Sequence, residues 1–464
     1  MNKTKDGVRD LEAASLPVLL MKYCIPSLAS SLVTSIYNIV DQLFIGIKLG
    51  INGNAATNVI FPVITLITAL SLMCGVGASA NMNVALGQGK EEEAKKVVGN
   101  AFSLMILCGA ILSIVVLFFS VPVLNLLGCT NILLPYALSY ARIIAVGFVF
   151  SLIGAAGPFL IRADGSPMYA LASIATGAIL NIILDALFVL VFHLGIQGAA
   201  WATVISQAVS AYMVLFYLKK YKTLKLSLVD FRPIPAVMGG ISLLGAGPAF
   251  NFMTQAVSFV FLNNVLKIYG AMSVYGSEIT LAVSGVANKV NTFASAIVTG
   301  LTNGMQPIIS YNFGRKNYKR VIETGKSVIG TVLVAGFLIF LCYQFLPVQI
   351  VSLFGERSEL YFEFAKKYFR IYLMFIALNG LQSSVAGFFS AQKKPAKSII
   401  IALTRQVIFL IPLLMILPKF FGLNGVLYAG PVADLAMAFV SFTLLYKEMK
   451  KLNEMNIKTK NIEM

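Results

Sequence analysis

The sequence predicts an all-α polytopic membrane protein, with twelve transmembrane helices in two six-helix bundles related by pseudo-two-fold symmetry along the membrane normal. Three observations predict it. The 464 residues are 58% hydrophobic and only 12% charged, with a mean hydropathy of +0.84, whereas a soluble chain carries roughly 25% charged residues. The charges gather in clusters and leave apolar stretches of about 20 residues, the length that crosses a bilayer as a helix. The second half of the chain also repeats features of the first.

Apolar runs bounded by polar or Gly/Pro punctuation define the elements in order. The first span, 18–43, follows the polar "MNKTKDGVRDLEAAS" and runs on with no small-residue cleavage site, so it reads as a retained helix. Pro26 breaks it as a hinge point. The second, 54–82, ends in "MCGVGASANMN", whose small residues suit close helix packing better than a substrate role. "GQGKEEEAKK" leads to the third, 97–121, and "GCTNILLP" to the fourth, 136–161. Pro167 opens the fifth, 168–192, and "HLGIQG" separates it from the sixth, 196–218. The basic stretch 219–237 reads as the linker between an N-terminal lobe, 1–225, and a C-terminal lobe, 226–464. In the second lobe Pro248 breaks the seventh span, 239–269, and Glu278 stands at the start of the eighth, 279–305. "GRKNYKR" precedes the ninth, 322–346, and "GERSELYFEFAKK" the tenth, 362–389. Pro395 opens the eleventh, 397–418, and "FGLNG" divides it from the twelfth, 424–446.

Loop charge sets the expected orientation. The loops on the side of the termini carry 24 Lys and Arg and those on the opposite side six. The positive-inside rule then places both termini in the cytoplasm and the protein in the cell membrane, with the lipid bilayer as its surroundings. The same distribution argues against nucleic acid as the partner of the net charge of +17. The basic residues form short inter-span clusters with no long basic face or aromatic platform. Five scattered cysteines (Cys24, Cys74, Cys108, Cys129, Cys342) show no CxxC pair or framework spacing, and His193 has no partner His or Cys. No metal centre is expected beyond a possible Na+ site, and no nucleophile constellation suggests an enzyme. We expect a monomer.

The duplication runs at an offset of about 227, with "GVGASANMNVALGQGKEEEAKKVVGNA" lying over "LTNGMQPIISYNFGRKNYKRVIETGKS". Gly77 falls on Gly304, Gly87 on Gly314 and Arg142 on Arg370, and "LGIQG" matches "FGLNG". A shorter offset near 222 aligns Pro26 with Pro248 and Asp41 with Asn263. Six helices per half is even, so both halves insert alike, as parallel repeats do. Paired bundles about a central cavity are the architecture of a secondary transporter.

Intramembrane acids are costly and mark functional sites by default. Asp41 lies late in helix 1, four residues after Tyr37 and therefore on its face. Asn181 and Asp185 share a face of helix 5, and Ala199 and Thr203 repeat the spacing on helix 6. Converging, these faces would form an oxygen-rich pocket for a hard monovalent cation, or for a proton held on a carboxyl pair. The blander reading is that Asp185 braces a neighbouring helix and Asp41 faces the outer interface. Against it, the second half has Asn263 for Asp41 and no acid in "VIFLIPLLMIL". Asp434 on helix 12 reads as the structural partner of Arg405 on helix 11, in preference to a second ion site. Arg142 and Arg370 snorkel to the outer interface or make a gating contact. Tyr37, Asn38, Met73, Phe150, Met253, Gln255, Lys289 and Met305 are candidates for the lining of a permissive central cavity.

At "VDQLFIG", "NIILDALFVLVFHLGIQGAAWATVISQ" and "GMQPIISYNFGRKN" the sequence resembles the multidrug and toxic compound extrusion (MATE) family, over roughly residues 15–446. "SAQKKPAKS" and "TRQVIFLIPLLMILPKFFGLNGVLYAGPVADL" resemble its MepA-type branch. The resemblance implies a multidrug efflux antiporter that exports cationic or amphipathic small molecules, including drugs and toxic organic cations, against entry of H+ or Na+. It also implies V-shaped lobes that open alternately, and no cofactor beyond the coupling ion. Family members with an N-lobe cation site use two acids, an Asn, a Thr and a helix 6 carbonyl, which carry over to Asp41, Asp185, Asn181, Thr203 and the Ala199 carbonyl. Another branch uses a helix 7 Glu and a helix 10 Asp; here those regions offer Gln255 and Asn379 and no acid. A flippase for lipid-linked saccharide precursors is the alternative function, for whose pyrophosphate head group Lys289 is the main basic candidate.

Overall fold

A computed structural model describes residues 11–12, 14–127, 129–131, 133–354 and 358–463, without the side chains of 42–43, 45–55, 460 and 462–463. Among the described residues every regular element is helical. The long helices are α1 (Leu16–Asp41), α2 (Ala56–Gly87), α3 (Glu91–Phe118), α4 (Leu134–Val146 with Phe148–Ala163), α5 (Pro167–Val191) and α6 (Gly195–Leu218). The second half supplies α7 (Pro235–Ala271), α8 (Gly276–Gly314), α9 (Tyr318–Phe345) and α10 (Glu359–Tyr372 with Ile376–Ala391). A final helical stretch, Pro395–Thr459, divides at Gly422 into α11 (395–421) and α12 (423–459).

Proline sets several of the starts. Pro17, Pro135, Pro167, Pro235 and Pro395 each stand in the first turn, where the missing N–H costs no helical hydrogen bond. Gly422 marks the α11–α12 break because its φ of 56° and ψ of −137° suit a residue without Cβ.

Eight helices are long and apolar enough to cross a membrane, or ten if each bent pair is one span. The twelve expected spans are all present as helices. α11 and α12 register as one stretch, and α8 falls short because polar residues recur along its whole length. Two differences from the expected spans are physical. α4 bends by 55° at Gly147, and α10 bends by 47° between Tyr372 and Ile376. These repeat-related helices were expected as single rods. In α10 the π-helical turn Tyr368–Tyr372 slips the carbonyl ladder just before the bend, a recognised origin of kinks.

Exposed side chains distinguish the surroundings. α3 exposes Ile106, Ile111, Ile114 and Phe118, and α9 exposes Val334, Phe337 and Leu338. Apolar faces of this kind suit lipid. Within the first half a core around Phe102, Phe148, Leu152 and Leu160 packs α2 to α6 together. A second core around Phe364, Phe369, Val426 and Leu427 joins the outer parts of α7 to α12.

The linker is anchored to the first half. The Asp164 carboxylate accepts from the Lys222 N–H (2.8 Å), the Thr223 N–H (2.9 Å) and hydroxyl (2.5 Å), and the Tyr217 hydroxyl (2.7 Å). Further on, the Ile234 N–H donates to Asn100 Oδ1 at 2.6 Å, and Ser103 Oγ donates to the Phe231 carbonyl at 2.6 Å.

The halves meet along a seam near the basic loops. Gln306 Nε2 on α8 donates to the Val76 carbonyl on α2 at 2.8 Å, and Asn312 Nδ2 donates to the Leu11 carbonyl at 3.2 Å. Arg315 pairs with Glu12, and Arg320 donates to the carbonyls of Glu12 and Ala14. Glycine makes the approach this close. A Cβ on Gly77 would stand 2.9 Å from the Gly245 nitrogen, and one on Gly304 would stand 2.5 Å from the Cys24 Cα. Both are nearer than real Cβ contacts, so the backbones of α2 with α7, and α8 with α1, touch directly.

Candidate cation site in the N-terminal half

α5 carries the central pair. Asn181 is 3% exposed and Asp185 fully buried, one helical turn apart on the same face. The α-helix passes into a π-helical turn, Ala186–Val191, directly after Asp185. Such turns concentrate at functional positions because they disturb the regular carbonyl ladder. Asp41, within the continuous helical stretch Leu16–Gly87 that holds α1 and α2, interacts with the Asp185 carboxyl. Beyond Asp41, no donor reaches either Asp185 oxygen among the described residues, and neither amide atom of Asn181 has a hydrogen-bond partner there. Buried polar atoms left in this state are expensive, by about 1–3 kcal/mol each and more for charged groups. Two facing carboxylates in a dry bundle also repel one another unless a proton or a cation lies between them.

α6 closes the other side. Thr203 Oγ1 donates to the Ala199 carbonyl at 3.0 Å, and Ala199 is buried against Val189 of α5. Further along, Ser210 Oγ donates to the Ser173 carbonyl at 2.8 Å and packs on Gly177. These contacts fix an antiparallel register that sets Thr203 level with Asp185. Tyr140 of α4, 4% exposed, lies within electrostatic reach of Asp41, Asp185 and Tyr37. Sequence reasoning missed Tyr140. Its signal was its place in "YARIIAVGF", which falls over "YFRIYLMFI" and pairs Tyr140 with Tyr368.

The equivalent region of the second half is filled differently. Asn263 Oδ1 accepts from the Ser284 hydroxyl at 3.1 Å. Arg405 Nε meets Asp434 Oδ1 at 2.5 Å, with Tyr368 and Tyr372 beside the guanidinium. Here the buried acid has its cation built in. In the first half Asp185 interacts with Asp41 and shares a helix face with Asn181, and α6 carries the Thr203 hydroxyl and Ala199 carbonyl at the same level. All of these are hard oxygen donors, which suit an alkali cation as readily as a proton. No group of three or more His, Cys, Asp or Glu that could hold a metal occurs among the described residues.

The cavity candidates are dispersed. Tyr37 is half-buried and Asn38 exposed on α1, and Met73 is half-buried on α2. Met253 is half-buried and Gln255 exposed on α7, and Lys289 is exposed on α8. Phe150 is exposed on α4, whereas Met305 is wholly buried beside Cys24 and Ile309 at the seam. Glu278, Arg142 and Arg370 sit toward the helix ends remote from the basic loops, where Arg370 Nε donates to the Gln344 carbonyl at 3.1 Å.

Comparison with known proteins identifies the family of this fold. The MatE family model matches residues 26–187 and 250–416. The Multidrug export protein MepA of Staphylococcus haemolyticus is 24% identical over 444 residues, covering 95% of this chain and 96% of that protein. MepA of Staphylococcus aureus strain MRSA252 is 26% identical over 430 residues, covering 92% and 93%. Among solved structures, a MATE in complex with MaL6 superposes with a TM-score of 0.89 at 22% identity, covering 97% of this chain and 99% of that one. An outward-facing multidrug resistance MATE transporter gives 0.89 at 21% identity, covering 96% and 98%. With the family model spanning most of its length and the relatives aligned end to end, the chain belongs to the MatE family of membrane transporters.

Proposed function

We propose that this transporter is a cation-coupled multidrug antiporter, exporting cationic or amphipathic organic compounds in exchange for H+ or Na+. The observation that carries the reading is the lone acid pair, Asp41 and Asp185, in one half of a duplicated fold. Both relatives named above are multidrug exporters, and their similarity to this chain extends over nearly its whole length.

In this reading the lobes, 1–225 and 226–464, rock about the seam, with both termini cytoplasmic in a cell-membrane monomer. The loop count of 24 against six basic residues supports that orientation. A seam closed near the basic loops corresponds to a state open to the outside. Entering H+ or Na+ settles among Asp41, Asp185, Asn181, Thr203 and the Ala199 carbonyl, and α1 repacks so that drug is released. The ion drives this only through its different affinity for the two states. An export assay of Asp185→Asn in drug-sensitive cells tests it. The variant loses ion-dependent efflux at unchanged expression; wild-type efflux with normal ion dependence in that variant would refute the proposal.

A further inference from the structure

The charged groups inside the membrane differ in what they face. Asp185 is fully buried, and Arg405 and Asp434 are buried against each other. Lys289 is exposed. It lies on α8 about 20 Å along the helix from Gly276, at roughly 1.5 Å per residue, well away from either end of a 39-residue helix. A lysine so placed does not face hydrocarbon.

Its neighbours identify what it does face. Asn288, Thr292, Ser295 and Thr299 are all exposed and recur at intervals of three or four residues, so they form one polar stripe on α8. The exposed faces of α3 and α9 are by contrast aliphatic and aromatic. A polar stripe of this kind suits water and not lipid. The α7–α8 register is fixed by Ser284 on Asn263 (3.1 Å) and by Thr280 on the Leu266 carbonyl (3.3 Å). Continued inward, it sets Gln255 of α7 level with Thr292, one turn from Lys289. Gln255 Nε2 reaches Asn251 Oδ1 at 3.4 Å, and Asn251 Nδ2 reaches Ser383 Oγ of α10 at 3.4 Å.

We propose that Lys289, with Gln255, Asn288 and Thr292, forms a subsite for the carboxylate of a transported amphipath. The protein accordingly binds organic cations that also carry a carboxylate more tightly than the same cations without one. The subsite presents amide and hydroxyl donors around one ammonium, and the acid of α8, Glu278, stands about three turns away toward the helix start. This deepens the export reading and rests on it, since it assigns the substrate class of the same central cavity. A carboxylate there gains a charge-assisted hydrogen bond that an ester cannot make.

Two dyes that differ only in this group supply the test: rhodamine 110, a free carboxylate, and rhodamine 123, its methyl ester. Their uptake is measured in inverted phosphatidylcholine proteoliposomes of the full chain. The expected KM for the carboxylate is about tenfold below that for the ester, the worth of one charge-assisted hydrogen bond. Lys289→Gln erases the difference by raising the KM for the carboxylate about tenfold, and an unfolding temperature in detergent equal to that of the wild type shows that the variant is folded. Lys289→Arg retains the difference. Equal KM values in the wild type, an intact preference in Lys289→Gln, or loss of both dyes in that variant overturns the proposal. A preference abolished by adding phosphatidylglycerol to the vesicles overturns it too, in favour of a lipid phosphate as the occupant. Movement of neither dye by the wild type under any ion gradient overturns the export reading itself.

Discussion

Arg405 and Asp434 face each other at 2.5 Å inside the second bundle, with two tyrosines at the guanidinium, while Asp41 and Asp185 face each other in the first. The contrast separates the two roles a buried acid can have. Arg405→Ala removes the built-in cation and strands Asp434. We expect a loss of about 3–5 kcal/mol of stability, read as a lower unfolding temperature in detergent. The double variant Arg405→Met, Asp434→Leu recovers most of it, since replacing both charges with apolar groups leaves none uncompensated. In the first bundle Tyr140→Phe keeps the ring and deletes the hydroxyl. The expected effect is several-fold weaker coupling-ion affinity, from loss of a polar group within electrostatic reach of both acids, with the unfolding temperature unchanged. An unchanged ion dependence of transport would remove Tyr140 from the site. The acids were legible in the sequence because a charge in an apolar run is conspicuous. Tyr140 was not, since a tyrosine in a membrane span is ordinary until its neighbours are known.

At the level of elements, periodicity gave each helix its own faces and nothing about which helix they meet. Asn181 and Asp185 were assignable to one face of α5 from spacing alone. That Thr203 stands level with Asp185 needed the packing of Val189 on Ala199 and of Ser210 on Gly177. The π-helical turn after Asp185 and the bends in α4 and α10 have no period of their own, so an apolar run conceals them. The seam illustrates the same point. "MCGVGASANMN" announced close packing, and the structure supplies its partners, with Gly77 meeting Gly245 and Gly87 meeting Gly314. Gly77→Leu forces a side chain into the α7 backbone and opens the seam. Cys24, 6% exposed beside Leu301, reports the opening in a background without the other cysteines. Its thiol-labelling rate from the basic-loop side is expected to rise at least tenfold in Gly77→Leu. An unaltered rate would show that this contact does not hold the lobes together.

For the whole molecule, the repeat was the most informative property of the sequence. Matched glycines, prolines and basic loops predicted two like-oriented bundles, and their departures from symmetry indicated where chemistry resides. Asp41 against Asn263 is one departure. The Arg405–Asp434 pair, which falls where the first half has Gly177 and Ser206, is another. The account makes the first bundle the place where the coupling ion binds and the second a bundle with its charge already balanced. Efflux from proteoliposomes of the full chain, with pH and Na+ gradients imposed separately, tests that claim most directly when wild type, Asp185→Asn and Asp434→Asn with Arg405→Gln are compared. One gradient is expected to drive wild-type efflux, the Asp185 variant to lose that drive, and the double variant to keep it. Gradient-driven efflux that survives in Asp185→Asn and fails in the double variant would contradict the account and place coupling in the second bundle.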